Sequence, residues 1–100
     1  MRYGRASQTL TYLIEERPDE AWVRILALID QAKTESLGYI GAGPLEDILS
    51  RHGHAMLERV EAAVAVDARF ASCLASVWGD TRFEPSIFTD VQRIIRTSTA

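Results

Sequence analysis

The residue types that chemistry uses occur in this sequence as a glycine pair ahead of a helical pattern and a histidine pair just after it. Gly41-Ala42-Gly43 runs into Pro44 and an apolar-periodic stretch, and the N–H groups at a helix start attract anions. A phosphate cradle needs more. No strand pattern precedes the glycines, and no Lys-Ser or Lys-Thr follows them. Glu46 and Asp47 already sit at the positive end of the expected helix, where they would repel a phosphate. The glycines are expected to make a sharp turn and the acids to cap it.

His52 and His54 flank Gly53. A metal pair must share a face, whereas Gly53 is expected to end a helix in the left-handed conformation and send the two rings apart. His52 then reads as a partly buried residue at a helix C-terminus. The single cysteine, Cys73, lies on an apolar helical stripe, so it reads as a small core residue and not as a nucleophile. It leaves no thiolate zinc set and no internal disulfide. Glu46 and Asp47 are neighbours on one helix, about 100° apart, and do not face each other as a general acid and base would. Glu15 and Glu16 share that geometry. No Gly-x-Ser-x-Gly elbow surrounds any serine. The expectation is a protein that is not an enzyme and carries no metal or cofactor.

These groups must be positioned by a chain of 100 residues, 47% apolar and 25% charged. That composition folds, and that length suits one domain over residues 1–100. No apolar run approaches the roughly 20 residues of a membrane span. Met1-Arg2-Tyr3-Gly4-Arg5 leads into polar residues and not into an apolar signal core, so the cytoplasm is the expected compartment. The net charge of −3 is unevenly spread: residues 18–67 hold nine carboxylates against Arg24, Lys33, Arg51 and Arg59, while both flanks are weakly basic. An acidic middle disfavours a phosphate backbone as partner and favours a basic protein surface.

Helix punctuation divides the chain into about six segments. Ser7 caps a first helix through Glu16, with Leu10, Leu13 and Ile14 on one face. Pro18 opens a second, with Asp19 and Glu20 in its first turn; Trp22, Ile25, Leu26, Ile29 and Ala32 recur at helical spacing to near Ser36, before Gly38. Val23 and Leu28 widen that arc and mark this helix as the central one. Pro44 opens a third, with Leu45, Ile48, Leu49 and His52 on one face and Gly53 at its end. A fourth runs from about His54 to Val66. Asp67 caps a fifth, which carries Phe70, Cys73, Leu74, Val77 and Trp78 and stops at Gly79. After the Asp80–Glu84 loop, Pro85 opens the last, striped by Ile87, Phe88, Val91, Ile94 and Ile95. The reading is all-α, a compact orthogonal array of about six short helices. Trp22 and Trp78 fall on apolar faces and are expected inside, whereas Phe83 in the loop is the aromatic least explained by periodicity.

Glu20-Ala21-Trp22, Gly43-Pro44-Leu45-Glu46-Asp47-Ile48-Leu49, His52-Gly53, Val77-Trp78-Gly79 and Phe83-Glu84-Pro85 together resemble an uncharacterised family of small bacterial all-helical domains of unknown function. The resemblance spans roughly residues 20–96 and implies an all-α fold; it carries over no activity, substrate or cofactor. Within the signature Leu45 is expected to plug the core. Glu46 and Asp47 either meet first-turn N–H groups, with Glu46 pairing to Arg51, Arg59 or Arg93, or form a charged recognition spot beside the glycine loop.

Three functional readings follow. The first is a non-catalytic protein-binding module, a small inhibitor or adaptor of the immunity or phage anti-defence (anti-CRISPR) type. Its acidic helical face would meet a larger protein with a basic, nucleic-acid-binding surface through Asp30, Glu46, Asp47, Glu58, Glu61 and Phe83. The second is a helical DNA-binding regulator using Gln92, Arg93 and Arg96 of the last helix, although asparagine is absent from the chain. The third is an enzyme of unfamiliar class, to be recognised by a deep pocket in which Glu46, Asp47 or His54 converges with another ionisable group. A homodimer is compatible with each.

Overall fold

Pro18 and Pro85 each start a helix in this computed structural model, which describes residues 10–77 and 82–99. Residues 10–16 form α1, and the break after it follows from Pro18, which crowds a helical conformation out of the residue before it. Arg17 accordingly sits at φ −140° and ψ 68°. Helix α2 spans Pro18–Gln31; a 3₁₀ turn at Thr34–Ser36 leads into α3, Leu37–Ile40; then come α4, Glu46–Val66, α5, Ala68–Leu74, and α6, Pro85–Thr99. The fold is all-α, and no strand occurs among the described residues.

Three boundaries differ from the sequence reading. Helix α2 ends at Gln31 and not near Ser36, because Ala32 turns extended (ψ 150°) and redirects the chain so that Leu37 enters the core. Helix α5 ends at Leu74, short of Gly79; a turn at residues 75–76 follows and Val77 is buried. The third difference is the largest. Gly53 does not end a helix: no glycine among the described residues has a positive φ, and α4 continues through it with a kink at His52 (φ −134°, ψ 31°). Gly53 is instead a point of close approach, since a Cβ there would lie 2.8 Å from Cγ2 of Ile87 on α6. Ser7, Trp78 and Gly79 lie outside the described residues.

The glycine stretch is not a loop. Gly41–Leu45 forms a π-helical turn that joins α3 to α4 without leaving helical conformation. Pro44 therefore sits inside a helical run and does not open one. Two features make that tolerable: a π turn already breaks the i→i−4 register that proline cannot complete, and Gly43 before it has no Cβ to clash with the proline ring. Gly41 is packed even more tightly, for a Cβ there would fall 2.1 Å from the carbonyl oxygen of Cys73 on α5.

Helix α4, not α2, is the central element, packing against α2, α5 and α6. Val23 and Leu28 face outward, so the apolar arc of α2 is narrower than its sequence suggests. One cluster joins Leu13 and Ile14 of α1, Trp22, Ile25 and Ile29 of α2, Leu45, Ile48, Leu49, Met56 and Val60 around α4, Phe70 and Leu74 of α5, and Ile87, Val91 and Ile94 of α6. Trp22 meets Phe70 with ring centroids 5.6 Å apart at 57°, a tilted pair that ties α2 to α5. Asp67 caps α5 as expected, its Oδ1 accepting from the Arg69 N–H at 2.9 Å.

Candidate interaction surface

The six residues expected to form one acidic face separate into two kinds. Asp30 on α2 and Glu58 and Glu61 on α4 are exposed. Glu46, Asp47 and Phe83 are held by the fold. Phe83 is only 6% exposed and belongs to the core, so it is a plug beneath its loop and no outward anchor. Its neighbour explains Glu46 and Asp47. Arg82 donates from Nη1 to Glu46 Oε2 at 2.8 Å and from Nη2 to Asp47 Oδ1 at 2.7 Å, with Ser50 Oγ accepting at 3.1 Å. The hydrogen bonds to Asp47 and Glu46 raise the Arg82 guanidinium above its ordinary value.

Glu46 is thus matched by Arg82 and not by Arg51, Arg59 or Arg93, which pair respectively with Glu15, Asp19 and Glu61. Nor do Glu46 and Asp47 meet a free helix start. The Glu46 N–H already bonds to Gly41 through the π turn, so no bare positive end exists there. Adjacent acids, Arg82 and Phe83 form a clasp: the aromatic ring fills the core while the guanidinium straddles the start of α4.

The histidines also acquire structural roles. The His52 ring lies 2.6 Å, through Nε2, from the carbonyl oxygen of Ile14, so its N–H caps the end of α1 from the kink of α4. His52 is partly buried as expected, but it stands at a kink inside α4 and not at the C-terminus of its own helix; the carbonyl it serves ends α1. His54 Nε2 lies 3.0 Å from Glu84 Oε2, both side chains more than half exposed, beside an open groove of about 270 Å³ at the kink. Solvent reaches both partners, so the contact has the character of a surface ion pair. Among the described residues no group of three or more His, Cys, Asp or Glu side chains comes together as a metal site. Burial pushes the Cys73 thiol up to about 11, which keeps it protonated and a poor nucleophile at neutral pH.

Of the three residues named on the last helix, Arg96 is exposed in the final turns of α6. Arg93 turns to Glu61 at 3.4 Å and Asp90 at 3.9 Å, and Gln92 is half-buried.

The outward side of α2 is different. Val23 is 65% exposed, near the middle of that face and one helical turn from Ala27. Asp19, Glu20 and Asp30 lie around it on the same helix, all exposed, with Glu20 paired to Arg17 at 3.2 Å. Two long-range ties hold the face in place. Arg59 of α4 reaches Asp19 at 2.6 Å near the start of α2. At its end the Arg69 guanidinium donates to the carbonyls of Ile29, at 2.7 Å, and Ala32. Sequence reasoning missed the Arg69 cap because α2 has no basic residue in its own last turn and the donor comes from 37 positions away.

No helix among the described residues is long and apolar enough to cross a membrane. No curated protein and no solved structure matches the chain. The family model described as Family of unknown function (DUF6869) matches residues 3–99, so the chain belongs to that family.

Proposed function

We propose that this domain is a non-catalytic, cytoplasmic protein-binding module that docks the outward face of α2 on a larger protein with a basic surface. The observation that carries the reading is Val23, 65% exposed on a helix whose exposed acids are Asp19, Glu20 and Asp30. An apolar centre with a charged rim is how protein interfaces are built. The acidic rim selects a basic partner and speeds its approach. A small inhibitor or adaptor of the immunity or anti-defence type would use such a face to occupy a basic, nucleic-acid-binding groove of its target, and that is the class to which we assign it. Glu58, exposed on the neighbouring helix, extends the same negative field, whereas Glu46 and Asp47 serve the clasp.

The test is affinity capture with the wild-type chain, followed by titration of the purified captured protein against surface variants. Val23→Arg and Asp30→Lys should each weaken binding about tenfold or more. Thr89→Ala, exposed on α6, should leave it unchanged. Rising salt should weaken the wild-type complex more than that of Asp30→Lys. Equal affinity for wild type, Val23→Arg and Asp30→Lys would remove α2 as the docking face.

A further inference from the structure

A second surface is built from other helices. Where the end of α4 meets α5 and the C-terminal turns of α6, two adjoining grooves share Val64, Ala65 and Ser98. The first, about 400 Å³, has Glu61 and Arg93 at its edge; the second, about 520 Å³, is walled by Ala68, Ala71 and Ala75, with Asp67, whose carboxylate is engaged at the start of α5 by the Arg69 N–H, at its rim. Val66 forms part of the rim of this second groove and is 86% exposed, the highest exposure among the large apolar side chains described.

We infer that this face is the contact of a symmetric homodimer, each copy seating its Val66 in the alanine-walled groove of the other. Three observations select a second copy as the occupant. Residues 18–67 carry a net −5, so two copies repel unless they meet where charge is balanced. Glu61 and Arg93 supply that balance: they lie 3.4 Å apart, each about half exposed. A partner of one charge sign would attract one of them and repel the other. A twofold rotation instead sets Glu61 of each copy beside Arg93 of the other, the reciprocal pairing that an isologous interface requires. Finally, the face holds both a protruding side chain and a depression bounded by small ones, so it is complementary to itself. Alanines at the wall let helices approach closely.

The experiment is sedimentation velocity of the whole chain from about 1 to about 300 µM, a range that brackets weak and moderate dimers. Wild type should shift from monomer to dimer across it. Val66→Asp, Glu61→Arg and Arg93→Glu should each raise the dissociation constant about tenfold or more, with unchanged far-ultraviolet circular dichroism. The decisive arm mixes Glu61→Arg with Arg93→Glu at equal concentration. One copy then carries two arginines and the other two glutamates at these positions, so both cross-pairs are attractive and the mixture should dimerise where each variant alone does not. A wild-type chain that stays monomeric throughout overturns the inference. So does a dimer indifferent to Val66→Asp, or a mixture no more associated than its components. None of these outcomes bears on the α2 face, whose variants lie on another helix.

Discussion

Arg82 is the residue whose loss the fold should feel most among its exposed charges. Most surface ion pairs contribute little, because water screens them and both side chains lose freedom. Here one partner is different: the Glu46 side chain is 8% exposed, and Arg82 supplies a charged hydrogen bond that water cannot fully replace. Arg82→Ala should therefore cost about 1–3 kcal/mol, seen as a fall in the urea midpoint at constant slope. Asp47→Ala, which removes a carboxylate 46% exposed, should cost about 1 kcal/mol or less. Glu46→Gln should blunt the effect of Arg82→Ala in a double-mutant cycle, since a neutral amide has less need of the guanidinium.

Cys73 gives a pH signature at the same scale. Unfolded, the thiol ionises near 9.0; in the folded chain burial raises it to about 11. Between those values the native state holds the proton and the unfolded state releases it, so stability falls as pH rises through that window. The contribution is intact below pH 9 and roughly 2 kcal/mol is lost by pH 11. Urea unfolding of wild type and Cys73→Ala at successive pH values checks this: the wild-type curve should drop across the window more steeply than the variant's. Tyrosine ionisation affects both proteins alike. In native protein at pH 8 the thiol should also resist alkylation until denaturant is added.

The helices show what can and cannot be read from letters. Pro18, Pro85 and Asp67 do what their types dictate, because a missing N–H, a fixed φ and a short acceptor side chain act within one turn of chain. The apolar stripes likewise report burial directly: Ile25, Ile29, Val60 and Val91 are all inside. Gly53 misleads because glycine serves two unrelated ends, a left-handed cap or a missing Cβ, and only the neighbour decides; that neighbour is Ile87, on another helix. Pro44 misleads for a similar reason, since a π turn has no composition of its own. The Arg82 clasp and the Arg69 cap were not legible, as both join residues more than thirty positions apart through side chains without periodicity.

This distinction makes the glycines a graded experiment on the helices. At Gly41 an added methyl meets the Cys73 carbonyl at 2.1 Å, and backbone cannot yield without moving α5; Gly41→Ala should cost about 3 kcal/mol or more. At Gly53 it meets the Ile87 side chain at 2.8–3.2 Å. That side chain can shift, and alanine is the better helix former, so the cost should be about 1–2 kcal/mol. At Gly43 nothing lies within 4 Å. The gain in helix propensity there is opposed by crowding from the Pro44 ring, leaving Gly43→Ala within about 1 kcal/mol of wild type. Thermal midpoints ordered Gly43→Ala, Gly53→Ala, Gly41→Ala from high to low would establish that the two buried glycines are contact points. If Gly53 were a left-handed cap, Gly53→Ala would instead be penalised by backbone strain, and trimming Ile87 to alanine would bring no relief.

At the scale of the whole molecule, the question is whether the helices melt together. Every described helix longer than one turn contributes to one cluster, and the radius of gyration of 12.8 Å is that of a tightly folded chain of this length. The polar ties reinforce this by crossing between elements: His52 joins α4 to α1, Arg59 joins α4 to α2, and Arg69 joins α5 to α2. No helix can leave without exposing apolar surface or uncovering carbonyls at another's end. The expected outcome is a single cooperative transition. Helical signal in the far ultraviolet and aromatic signal in the near ultraviolet, where the Trp22–Phe70 pair contributes, should lose amplitude together. The calorimetric enthalpy should be about 60–80 kcal/mol and equal the van't Hoff value. Helix α1 is the stringent case, because over residues 10–16 it buries only Leu13 and Ile14, with Leu10 packed against the same cluster. His52→Ala removes its cap on the Ile14 carbonyl. If the docking of α1 is part of the cooperative unit, that variant should lower one midpoint and keep the two signals coincident. A separate early loss of helix signal in His52→Ala would mean that α1 is an appendage on a five-helix core.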